Sequence, residues 1–64
     1  MENFFNTCKK FGYECIEDTE CALDAILLKS KRIIAVNPNT VTRSTMRDIL
    51  HCLRKEAASY GKVN

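Results

Sequence analysis

Arg43, Arg47, His51, Arg54, Lys55 and Lys62 recur at spacings that place them along one flank of a helix, at about 100° per residue. Such a ridge can meet phosphates or an acidic protein surface. The bland reading is a solvated helix face, whose Lys and Arg stems cover apolar surface beside a buried stripe. The ridge has no interleaved aromatics, so base stacking is not expected on it. His51 lies on the same flank. General acid–base work or metal binding would require a partner for it. Cys52 is its neighbour in sequence but points about 100° away on a helix, so the two do not form a Cys–His dyad.

The four cysteines, Cys8, Cys15, Cys21 and Cys52, are separated by six, five and thirty residues. A zinc site wants close pairs such as C-x2-C, and none exists. These cysteines are therefore expected as reduced, packed thiols. Asp24 interrupts an apolar run, where a buried carboxylate is expensive unless paired. It marks either a site at the sheet surface or a partly exposed side of the strand. Glu14, Glu17, Asp18 and Glu20 make the preceding region acidic, as exposed carboxylates on a strand and its turn commonly do. No metal or cofactor site is expected, and there is no phosphate loop, H-E-x-x-H or G-x-S-x-G.

The elements that must position these residues follow from periodicity. Phe4, Phe5, Cys8 and Phe11 predict a helix over residues 2–11, with Lys9 and Lys10 at its C-terminal end and Gly12 as the stop. Tyr13–Glu17 reads as a strand, and Asp18–Glu20 as a turn. Cys21–Leu28 and Ile33–Val36 are two apolar runs separated by Lys29–Arg32, which predicts a β-hairpin without the Asn-Gly turn signal. Pro38 ends the third strand, and Asn37 and Asn39 suit the turn that follows. Met46, Ile49, Leu50, Leu53, Ala57 and Tyr60 form one stripe, so residues 43–60 are expected as a helix, capped by Thr42 or Ser44 and stopped by Gly61.

These elements fill the 64 residues as a single domain, 1–64, of α+β class in the order αβββα, with a three-stranded, mostly antiparallel sheet. A composition 45% hydrophobic and 28% charged excludes a disordered tail or low-complexity linker. The net charge of +2 singles out no class of partner. No segment resembles a signal peptide or a membrane span, so a cytoplasmic location is expected. The hairpin is apolar on both faces, because Ile26, Leu28, Ile34 and Val36 cannot all share a face with Leu23, Ala25, Leu27 and Ile33. Two apolar faces need two covers. The helices supply one each, or they share a face and leave the other to a second copy or a partner.

Phe11-Gly12-Tyr13-Glu14 after a helix, then Asp24–Lys29, then Arg32–Val36, resembles the core of the restriction-endonuclease-like (PD-(D/E)xK) superfamily. The resemblance implies a central sheet with helices on both sides and an acidic metal site at its centre. Asp24 matches the first catalytic position. Asn37 and Asn39 stand where the Glu and Lys belong, so the resemblance implies a catalytically inactive relative. Val36-Asn37-Pro38-Asn39 before the helix carrying His51 is similar to the approach to the zinc helix of ImmA/IrrE-type metallopeptidases. Here His51-Cys52-Leu53-Arg54-Lys55 replaces the H-E-x-x-H of that family, which implies no zinc hydrolysis.

The sequence thus leads to a small non-enzymatic intracellular binding protein. It is expected to act as a regulator or inhibitor through a protein partner or as a homodimer. The alternative is a nucleic-acid-binding module on a nuclease-like fold, using Arg43, Arg47, His51, Arg54 and Lys55. Neither a membrane nor a small-molecule substrate is indicated.

Overall fold

The computed structural model describes residues 1–61, with the backbone alone for the last two. Helix α1 spans Glu2–Lys10, strands β1, β2 and β3 span Glu14–Glu17, Ala25–Leu28 and Ile33–Val36, and helix α2 spans Arg43–Gly61. The αβββα order is the one periodicity predicts.

α1 stops where the glycine requires. The Gly12 N–H donates to the Lys9 carbonyl at 2.9 Å, and Gly12 adopts φ 86°, which only glycine takes without strain. At the start of α2, the Thr45 N–H donates to Thr42 Oγ1 at 3.1 Å, so Thr42 is the cap.

The sheet is mixed rather than mostly antiparallel. β3 lies in the centre, parallel to β1 and antiparallel to β2. The reason is connectivity. β1 and β2 run in opposite directions at the two edges, so the hairpin that returns β3 between them must make it parallel to β1. The second strand is also shorter than its apolar run. Residues 22–24 form a bend, where Asn37 holds that loop onto the sheet end. Its Nδ2 donates to the Cys21 carbonyl at 3.0 Å and to that of Thr19 at 3.4 Å, and its N–H to that of Asp24 at 2.8 Å. Asn37 is buried, and these bonds satisfy a side chain that would otherwise be expensive there.

Register sorts the side chains by face. Cys15, Ile34 and Leu27 form one row, and Val36 and Ala25 extend it. Both helices pack on this side. Phe4 and Cys8 of α1 join Ile49 and Leu53 of α2, with Tyr13, around fully buried Ile34 and Val36. The expected apolar stripe of α2 is buried at Ile49 and Leu53, but Ala57 is exposed. A 19-residue helix is about 28 Å long, whereas a four-residue strand covers about 13 Å, so the last turns overshoot the sheet. The side chain of Tyr60, expected on that stripe, lies outside the described residues, as does Lys62.

A polar clamp closes the core beside the hairpin. Tyr13 Oη donates to Glu56 Oε1 at 3.1 Å, Arg32 Nη1 donates to the same oxygen at 3.0 Å, and the Arg32 guanidinium lies 4.9 Å from the Tyr13 ring centre. These contacts hold Arg32 at φ 58°, a left-handed conformation that a turn without glycine must otherwise strain to reach.

Candidate functional site

Two surfaces remain without a cover. The first is the far side of the sheet. Alternation turns Ile33 and Ala35 of β3 away from the helices, with Ile16 of β1 and Ile26 and Leu28 of β2 beside them. Ala35 is shielded by its neighbours, but Ile16, Ile26 and Leu28 are 43%, 37% and 40% exposed. Leu23, on the loop before β2, is 61% exposed. Scattered apolar residues on a surface are ordinary, but a contiguous apolar sheet face is not. Register places Glu14 on this same face beside Ile33, at the hairpin end, and turns Glu17 to the helix-facing side with Val36.

The second surface is a groove of about 490 Å³ between α1 and α2. Phe4, Met46 and Leu50 give it apolar walls, and Arg43, Arg47 and Arg54 line it as well. Among the described residues, the one ion pair in the chain joins Arg32 to Glu56, so these three guanidinium groups meet no carboxylate.

The structure therefore divides the basic flank. Arg43, Arg47 and Arg54 share the groove. His51 is exposed, and Lys55 lies in a separate shallow depression with Lys29, Cys52 and Glu56. Periodicity groups all five because it fixes only the angle about the α2 axis. The position of α1, which makes a groove on one side of the ridge, is a tertiary fact. The open-face residues Ile16, Ile26 and Leu28 carried a weaker signal, the excess of apolar side chains over available covers.

The thiols are free. Burial pushes the Cys8 thiol up to about 12, helped by the Cys15 thiol beside it, and burial also raises Cys15. Both point into the core, so neither is a nucleophile near neutral pH. Cys21 is half-buried and Cys52 exposed. Asp24 is half-buried and accepts from Thr45 Oγ1 at 3.3 Å, a contact that ties the bend before β2 to the start of α2. Among the described residues, no three His, Cys, Asp or Glu side chains converge as metal ligands would. No described helix is long and apolar enough to cross a membrane. Compared with known proteins, the chain matches no family model, no curated protein and no solved structure.

Proposed function

We propose that this chain is a non-enzymatic intracellular binding protein that works as a homodimer, joined through the open face of its sheet. The observation that carries this reading is the uncovered apolar row of Ile16, Ala35 and Ile26, with Ile33 and Leu28 beside it. A second copy suits the face because a two-fold contact buries the same patch on both chains in one step.

The face is small. Three strands of four residues present a footprint of roughly 200 Å², against about 800 Å² per partner in a standard interface. Rim side chains add to it, but the expected dimer is weak, with a micromolar dissociation constant or weaker.

Sedimentation of the full chain from low micromolar to near-millimolar concentration tests the reading. The mass should rise toward twice the monomer, and Ile26→Lys, whose helical circular dichroism should persist, should remain monomeric throughout. A wild-type chain that stays monomeric at the highest concentration refutes the dimer. A dimer that survives Ile26→Lys refutes the sheet-face contact and places it elsewhere.

A further inference from the structure

The groove between α1 and α2 lies on the helical layer, away from the sheet face, and its chemistry differs. Its apolar part would bind any hydrophobic segment, whereas its three arginines select for charge. All three are exposed and none has a carboxylate partner among the described residues.

Their spacing limits the ligand. Arg43 and Arg47 are one turn apart, and Arg54 follows two turns later, so the row spans about 16 Å along α2. One carboxylate or phosphate head group reaches a single arginine, or two adjacent ones. A ligand that engages all three must distribute several negative charges along that length, which excludes a fatty acid or a lone phosphate as the full occupant.

Two kinds of extended polyanion remain, and the walls separate them. A nucleic-acid strand would use the arginines for its phosphates, but it gains nothing from Phe4, Met46 and Leu50. Phe4 is only 6% exposed, so its ring offers no face for a base to stack on. A protein helix with an apolar stripe flanked by Asp or Glu uses both halves of the site. Apolar side chains at i, i+3 or i+4 and i+7 would enter between α1 and α2, in the helix-in-groove mode. Met46 suits this role because its unbranched side chain adapts to the shape of an incoming residue. The carboxylates would then form charge-assisted pairs with the guanidinium forks.

We infer that this groove is the docking site for an acidic amphipathic helix of a partner protein, with Arg43, Arg47 and Arg54 reading its carboxylates and the half-buried Met46 and Leu50 receiving its apolar anchors. The site does not depend on the sheet-face dimer, so each can fail without the other.

The test is a selection with the full chain as bait, from a displayed library of helical peptides of about 16 residues, ~24 Å long. Selected peptides should pair an apolar helical stripe with flanking Asp or Glu. A fluorescein-labelled copy of one should lose about tenfold or more in affinity to the Arg47→Glu, Arg54→Glu chain and several-fold to Leu50→Ala. Substituting Lys for the acidic residues of that peptide should restore binding to the charge-reversed chain, which a folding defect would not allow. Ile26→Lys should leave the affinity unchanged. The inference is overturned by a selection that yields no binder, by binders without acidic enrichment, or by equal affinity for the charge-reversed chain. It is also overturned if a labelled oligothymidine binds the full chain more tightly than the peptides and loses that binding on charge reversal.

Discussion

The two faces of the sheet carry the same kinds of side chain and meet opposite environments. Toward the helices, Ile34 and Val36 are fully buried, and Cys15 and Leu27 pack against them. Away from the helices, Ile16, Ile26 and Leu28 face outward on neighbouring positions of the same three strands. Hydrophobicity does not separate the two sets. The supply of cover does. Three strands span about 10–14 Å, and each helix with its side chains is about 10 Å wide, so two helices side by side cover one face and leave none for the other. One core is completed, and Ile16, Ile26 and Leu28 on the second apolar face stay partly exposed.

The sharpest way to break this comparison is to cut into the covered face. Ile34→Ala removes a fully buried side chain at the centre of the central strand and should cost about 2–5 kcal/mol. A domain of this size has a total stability of about 3–10 kcal/mol. Urea denaturation should therefore show the variant marginally folded at best. A loss below about 1 kcal/mol would mean that the helices do not seal this face.

A smaller effect should come from the thiol beneath α1. Cys8 is held up to about 12, against an ordinary value of 9.0, so the folded chain keeps its proton where the unfolded chain releases it. The contribution to stability is complete below pH 9 and is lost as pH rises from 9 toward 12. Stability should thus fall through that window, and Cys8→Ala should fall less steeply over the same range. Identical slopes would place Cys8 in contact with water.

Much of this architecture was legible because it rests on local signals. Gly12 and Thr42 mark helix ends through backbone chemistry that a few residues decide, and the spacing of Ile49 and Leu53 sets the buried stripe of α2. What was not legible depends on distant segments meeting. The parallel pairing of β1 with β3 follows from β2 taking the far edge, which no residue in β1 encodes. The clamp of Tyr13, Arg32 and Glu56 joins residues 43 positions apart in the chain at its widest. The basic flank of α2 was visible as a row, but Arg54 and Lys55 face different hollows because α1 lies against one side only. The doubly apolar hairpin did show that two covers were needed, which the helices could supply one each or leave half undone. It could not show which face the helices would take.

The smallest expected effect tests the open face most directly. Ile26→Thr keeps a β-branched side chain suited to a strand and replaces a methylene-bearing arm with a hydroxyl that water can solvate. In a dilute monomer, where this position is 37% exposed, stability should change by no more than about 0.5 kcal/mol. Association changes the measurement. A wild-type chain that dimerises through this face gains stability as its concentration rises, because only the folded form binds a second copy. Its thermal midpoint should climb with concentration, while that of Ile26→Thr should stay nearly flat, the two curves meeting at high dilution. A midpoint that climbs equally in both chains would move the contact off this face. A loss well above 0.5 kcal/mol at high dilution would mean that Ile26 supports the fold of the monomer itself, and that the two faces of the sheet are less different than their burial indicates.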